Sequence, residues 1–421
     1  MASGSSSGLT QAPPSEGRSD SRPSLLRKLP RNVWAVTTTS LLTDASTETI
    51  TGLLPFYLAQ TLGASPAAIG LVEGVADATA SLVKLASGWL SDRWRRRKPL
   101  AVFGYGLSTG AKALLLAAGT WPAVLAARFL ERGGKGIRTA PRDALLADSV
   151  TAETRGLSFG LHRAGDTAGA VIGLSLALGV VLVLESAGAP LSLPTFQTAV
   201  VVSLIPATLA VLVLWAFARE IRPSESSAEA GPVSIQSILT DRRFRWFLAA
   251  VTLFALGNSS DAFLLLRTGT LGFTIPQSLA LLIALNVVHA LLAAPLGALS
   301  DRIGRRPVLL GGWGLYAVVY LGLAAARAPW QVWVVIFGYG AYYAATEGVA
   351  KAFVADLVPS EGRGRAYGAY HGLIGIAALP ASLVAGIVWQ GVGPAGPFLV
   401  GAFLALAAAL VLWRLPDSGS R

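Results

Sequence analysis

The sequence is a succession of apolar stretches, most of about twenty residues, and that succession limits the fold more than any other feature. The stretches fall near 33–58, 67–91, 99–119, 121–148, 157–184 and 195–218, and again near 243–267, 276–299, 307–326, 330–357, 366–389 and 395–414. An α-helix of this length crosses the hydrocarbon of a bilayer with every backbone group bonded internally. Ala, Leu, Val and Gly fill the stretches, and small residues let helices approach closely in lipid, so a bundle of helices is expected rather than a barrel. With 53% hydrophobic residues and a mean hydropathy of +0.58, the chain does not read as a soluble domain.

The net charge of +11 raises nucleic acid as a partner. The placement of the charge argues against it. Five Arg or Lys lie in 92–98 (DRWRRRK) and three in 301–306 (DRIGRR), whereas the alternate connections around 60–65 and 119–122 carry none. Basic loops on every second connection are the topology signal of a membrane protein whose basic side is cytoplasmic. An even number of spans then puts both termini on that side, in a plasma membrane of the bacterial inner-membrane kind. Residues 1–30 and 416–421 are expected to be cytoplasmic tails, the first rich in Ser, Gly and Pro and lacking the apolar core of a signal peptide. No cysteine is present and the single methionine is the first residue, so thiolate chemistry and thioether metal sites are excluded.

The chain repeats itself. GWLSDR at 88–93 returns as GALSDR at 297–302, LADSVTAETRG at 146–156 returns as VADLVPSEGRG at 354–364, and Trp121 is matched by Trp330, all at an offset of 208 or 209. Similar order over three helices implies two parallel six-helix units. The units are expected at 31–218 and 243–415, joined by the polar linker 219–242. The expected fold is an all-α polytopic membrane protein, with twelve transmembrane helices as two pseudo-equivalent six-helix bundles and a solute site between them near mid-membrane.

On these residues the chain resembles a permease of the major facilitator superfamily. The resemblance rests on Gly88, Asp92, Arg93 and Arg96 in the first copy and Gly297, Asp301, Arg302 and Arg305 in the second. Both copies lie between helices two and three of their half, where that family has its G-x-x-x-D-R-x-G-R-R loop; the first copy departs from it with Arg95 at the glycine. The resemblance covers nearly all of the chain outside the first tail. It implies the major facilitator fold and transport, and does not imply a substrate. In the loops, Gly88 and Gly297 are expected to allow close helix contact. The acids should pair with nearby arginines or cap helices, with Arg155 and Arg363 of the next loops as partners, so that one gating state is stabilised over another. Setting topology alone would be the simpler role for these charges.

Polar residues inside the apolar stretches are the candidate functional groups, because charge facing lipid is costly. Helix four carries Glu131, Lys135, Arg138 and Arg142 on one face, and its counterpart carries Tyr339, Tyr343, Glu347 and Lys351 on the equivalent face. Helix one places Asp44 and Glu48 four residues apart. Two adjacent carboxylates in low dielectric cannot both ionise cheaply, which suits an acid that gains and loses a proton during a cycle. Asp44, Glu48 and Glu347 are therefore the expected proton-coupling groups. Lys135, Arg138, Asn258, Asp261, Asn286, Tyr343, His162 and Asp166 are the expected lining of the solute path. Helix two adds Glu73, Asp77, Ser81 and Lys84, as a network or as part of the path, and Lys112 stands alone.

No metal or cofactor is expected. His162, His289 and His371 have no ligand spacing, and GGKGIRT at 133–139 lacks the strand a phosphate loop needs. The expected partners are a small solute, protons and lipid, with the protein acting as a monomer. The favoured function is proton-coupled secondary transport, with export slightly ahead of uptake of an organic anion or zwitterion. The glycine-rich helix five lacks the proline found in the family's antiporters, which weakens an antiport reading. A membrane enzyme built on His162–Asp166, a divalent-metal carrier and a non-transporting receptor are the alternatives.

Overall fold

A computed structural model of the chain describes residues 29–94, 96–186, 188–221, 241–358 and 363–415. The expected tails and the linker lie outside the described residues except at their inner edges. The described residues form twelve long helices: α1 (Arg31–Thr51), α2 (Pro66–Trp94), α3 (Arg97–Ala113), α4 (Trp121–Asp148), α5 (Ala152–Leu184), α6 (Leu193–Phe217), α7 (Arg242–Gly257, resuming at Ala262–Thr270), α8 (Ile275–Ile303), α9 (Arg305–Ala325), α10 (Pro329–Leu357), α11 (Arg363–Val392) and α12 (Gly396–Trp413). The helix starts are written locally. Proline stands in the first turn of α4, α6, α8, α10 and α12, where its missing N–H costs nothing. Ser192 and Asp241 accept from the Thr195 and Phe244 amides as N-caps, and Thr274 with Gln277 forms a capping box.

Packing repeats between the halves. In the first, α1 packs on α5 and α6, α4 on α2 and α3, and α3 on α6; in the second, α7 packs on α11 and α12, α10 on α8 and α9, and α9 on α12. Every pairing is reproduced six helices later, as the sequence repeat requires. The halves meet through α2 on α11 and α5 on α8. Of the long helices, α1, α4 and α10 fall outside the nine that are apolar enough to be spans by composition alone. They are the helices whose polar stripes need shelter from lipid. Large apolar side chains such as Val183, Leu291, Val318 and Phe403 are exposed on the outside of the bundle, at 81%, 69%, 65% and 70%, as a lipid-facing surface requires.

The bundles are sealed together at the face opposite the basic loops. There Ile50, Leu53, Leu54, Ile69, Phe263, Leu265 and Leu279 belong to one buried apolar cluster that spans both halves. Glycines bring the backbones together along α2 and α11. A Cβ on Gly70 would sit 2.2 Å from the Ser382 carbonyl oxygen, and one on Gly386 2.5 Å from the Pro66 oxygen. Toward the basic face the side chains between the halves regain exposure, with Arg163 at 52% and Lys351 at 42%. A Gly70→Ala substitution is expected to open the seal. Overpacking costs about 1–3 kcal/mol, enough to shift a two-state balance roughly tenfold. Because the chain lacks cysteine, L265C in the Gly70→Ala background should react with an impermeant maleimide about tenfold faster from the sealed face. An unchanged rate in a folded variant would contradict the seal.

The first helix of each half is interrupted at an equivalent place. α1 stops at Thr51, followed by a turn at Leu54–Phe56 and a π-helical turn at Tyr57–Thr61, while α7 stops at Gly257 and resumes at Ala262. Broken helices at membrane depth need partners for the freed backbone. The Tyr316 hydroxyl donates to the Gly257 carbonyl at 3.0 Å, and the Ser260 amide donates to Ser382 Oγ at 3.3 Å.

Candidate functional site

Between the halves lies a cavity of about 650 Å³, floored by Gly52, Pro55, Leu265 and Leu282 on the sealed side. The first half lines it with Glu48, Glu73, Asp77, Lys84, Arg132, Lys135 and Arg163. The second contributes Asn258, Asp261, Asn286, His289, Tyr343, Glu347 and His371. Several of these charged groups are held in ion pairs. Arg132 Nη2 lies 3.6 Å from Asp77, and Arg128 reaches Glu73 at 3.5 Å and Glu131 at 2.9 Å. Arg128, Glu131 and Glu73 are exposed by no more than 5%, so the inner part of this ladder between α2 and α4 is desolvated, while Asp77 at its edge is 42% exposed. Lys112, buried at 2%, donates to Ser46 Oγ and Thr47 Oγ1, which ties α3 to α1. Breaking one side of such a buried pair costs about 3–5 kcal/mol. Arg128→Ala is therefore expected to reduce the thermal stability of the purified protein by an amount of that order, whereas Arg163→Ala, half-exposed, should change it little. Melting curves of both variants check this.

On the second wall, Asp261 stands at the break in α7. The Tyr339 hydroxyl donates to its Oδ1 at 2.7 Å and the Tyr343 hydroxyl to its Oδ2 at 3.1 Å. Tyr316 bonds the Asn258 side chain at 3.3 Å, and Tyr316, Tyr320, Tyr339 and Tyr342 are packed as one aromatic cluster behind the wall. Toward the basic face, Arg163 of α5 forms an ion pair with Glu347 of α10, joining the halves. Lys351 Nζ at 3.2 Å and His289 Nε2 at 3.7 Å complete the surroundings of that carboxylate.

Of the side chains expected from the sequence, Glu48, Glu347, Lys135, Asn258, Asp261, Asn286 and Tyr343 border the cavity. Arg138, His162, Asp166 and Asp44 do not. Arg138 turns toward α3 and lies over the Tyr105 ring, 4.2 Å from its centroid, because its position on α4 is rotated past the cavity-facing edge. His162 is buried at 7% exposure, 3.9 Å from Asp166, in the packing of α5. Asp44 lies in the first bundle, with Asp166, Lys135, Arg138 and Arg142 as its electrostatic neighbours. Among the described residues no group of three or more His, Asp or Glu could hold a metal ion.

The loop motifs divide unevenly. The side chains of Asp92, Arg155 and Arg363 lie outside the described residues. Arg93 lies over the Trp89 ring at 5.6 Å, and Arg96 and Arg302 are exposed. The expected close approach at the two glycines is not found. A Cβ on Gly88 would make ordinary contact with Ala140 of α4 in the same half at 3.5 Å, and Gly297 faces open space, so neither glycine lies in a tight helix crossing. Two ion pairs related by the repeat hold this rim: Arg97 with Asp148, and Arg305 with Asp356 at 3.2 Å. Asp301 also pairs with Arg305. Both pairs join the third helix of a half to its fourth. The recurrence of LAD as VAD marked the two aspartates, although the sequence did not identify their partners.

A bundle of two repeated halves around one polar cavity, sealed on one side, is the architecture of a membrane carrier. The comparisons place it more narrowly. The sequence profile of the Major Facilitator Superfamily matches residues 36–291 and 268–421. An MFS-type transporter of Methanocaldococcus jannaschii is 34% identical over 92% of this chain and 95% of its own length. The class C tetracycline resistance protein of Escherichia coli is 34% identical over 31% of this chain and 33% of its own. The inward-open xylose transporter XylE of Escherichia coli superimposes with a TM-score of 0.72 at 16% identity, covering 92% of this chain and 97% of that one. The chain belongs to the Major Facilitator Superfamily and is an integral membrane transporter rather than an enzyme.

Proposed function

We propose that the protein is a proton-coupled secondary transporter for a small, hydrophilic, charge-bearing solute, working by alternating access with the basic face in the cytoplasm. The observation that carries this reading is the central cavity, to whose lining both halves contribute ionisable and amide side chains. Here charges that would cost several kcal/mol in lipid are retained beside a space large enough for a solute. Asp44 and Glu48 take the proton, and Glu347 stands at the neck between the cavity and the basic face. Export is the direction we favour, supported by the stretch shared with the tetracycline resistance protein.

Proteoliposomes test direction and coupling together. In vesicles with the basic face outward and an acidic lumen, labelled solute from a panel of hydrophilic compounds should accumulate inside as protons leave. Uptake coupled to inward proton flow would instead require the opposite gradient. Accumulation under a sodium gradient alone would replace protons as the coupling ion.

A further inference from the structure

The pattern of paired and unpaired charges in the cavity selects the solute's own charges. Among the acids that line it, Glu73 and Asp77 have arginines within 3.6 Å, and Glu347 has Arg163, Lys351 and His289. Glu48 has Lys135 and Arg132 as electrostatic neighbours. Asp261 has none of these. Its partners are two tyrosine hydroxyls, and its charged neighbours are acids, Asp77 and Glu48. Glu48 and Asp261 both lack an ion pair among the described residues, and of the two only Asp261 has no cation among its electrostatic neighbours. It is held in place by Tyr339 and Tyr343, so it is oriented without being neutralised.

The opposite wall carries the complement. Lys135 lines the cavity; Asp44, Glu48 and Glu131 are its acidic neighbours, yet among the described residues its ammonium makes no ion pair within 4 Å and no hydrogen bond. The neighbouring Arg132 is engaged by Asp77 and Glu131. Lys84, also unpaired, lies among Asp143, Arg142 and Lys351 at the neck and so belongs to the entrance. Lys135 and Tyr343 are equivalent positions of the repeat, 208 residues apart. Lys135 and a tyrosine that holds the Asp261 carboxylate thus occupy corresponding positions of α4 and α10 and border one cavity from its two halves. A desolvated charge without a hydrogen-bonded counter-ion is costly, and a ligand that gives the Lys135 ammonium and the Asp261 carboxylate each a direct contact lowers both costs at once.

The geometry points to a zwitterionic solute that bridges the two halves, its ammonium on Asp261 beside the Tyr343 ring and its carboxylate or other anionic end on Lys135. This deepens the transport reading and rests on it for the identity of the cavity. Equilibrium binding tests it without any gradient, so its failure is separable from a failure of coupling or flux. The probes are α- and ω-amino acids from glycine to 6-aminohexanoate, each with its N-acetyl and methyl-ester derivative, tested by thermal shift and by calorimetry on the purified full chain. The expected result is saturable binding of at least one zwitterion of the series, weaker by about tenfold or more in both end-blocked derivatives. Asp261→Asn should lose the preference for the free ammonium and Lys135→Gln the preference for the free carboxylate, with Asp261→Glu and Lys135→Arg retaining part of each. Unliganded melting curves of the four variants report whether each is folded. Binding of an end-blocked derivative as tight as its parent overturns the proposal. So does an affinity unchanged in folded Asp261→Asn, or binding by no member of the series.

Discussion

Glu48→Gln and Asp44→Asn are each expected to abolish accumulation driven by a pH gradient while leaving solute exchange between equal compartments within a few-fold of the parent. The two carboxylates are four residues apart on α1, one bordering the cavity and the other inside the first bundle. Lys135 is an electrostatic neighbour of both, and Asp166 adds a third acid beside Asp44. Closely spaced carboxylates in low dielectric exchange a proton as a unit, because ionising the second works against the first. An amide at either position keeps the shape and removes the titration. Each pH unit is worth about 1.4 kcal/mol, so one coupled proton sustains roughly tenfold accumulation per unit. In the variants that ratio should fall to about one, a loss of the whole gradient term, while counterflow persists. The measurement is the accumulation ratio beside the exchange rate in the same proteoliposomes. Accumulation equal to the parent in both single variants and in the double variant would remove these acids from the coupling mechanism.

The fold was legible because it depends on coarse signals. Hydropathy at a spacing of about twenty residues located the spans, and GWLSDR with GALSDR and LADSV with VADLV related the halves, so the matching helix pairings follow from the repeat. The polar stripes of α4 and α10 were legible for the same reason, since helical periodicity places Lys135 and Tyr343 on equivalent faces. Local spacing, however, fixes only which residues share a face; it does not fix the rotation of that face against a neighbour. Arg138 shares the stripe of Lys135 and yet lies over Tyr105. Arg163, one turn before Asp166 on α5, also reaches across the interface to Glu347. The bond network of Asp261 joins α7 to α10 across 78 and 82 residues. Partners this distant leave no trace in one sequence beyond the presence of a carboxylate and several tyrosines.

Removing Glu347 is expected to do more harm than removing the arginine it pairs with, and removing both should do less harm than removing Glu347 alone. The pair between Arg163 and Glu347 is the ion pair that joins the halves among the described residues, and it stands where the basic face must close during a cycle. Arg163 is about half exposed, so in this state the pair itself contributes at most about 1 kcal/mol, and Arg163→Gln should slow flux only a few-fold. Glu347 also faces Lys351 and His289. Its loss would leave two permanent cations and a histidine converging from both halves, and like charges brought together as the face closes would oppose closure. We expect Glu347→Gln to lower initial flux by about tenfold, the equivalent of 1.4 kcal/mol on the slow step. Arg163→Gln in that background should recover part of the loss, because it removes the repelling cation contributed by the other half. A reversed pair, Arg163→Glu with Glu347→Arg, should fail, since the new arginine would stand against Lys351. Flux for the two single variants and the double variant forms a thermodynamic cycle. If the double variant's loss equals the product of the single losses, the two residues are not coupled, and closure of the basic face does not depend on this contact.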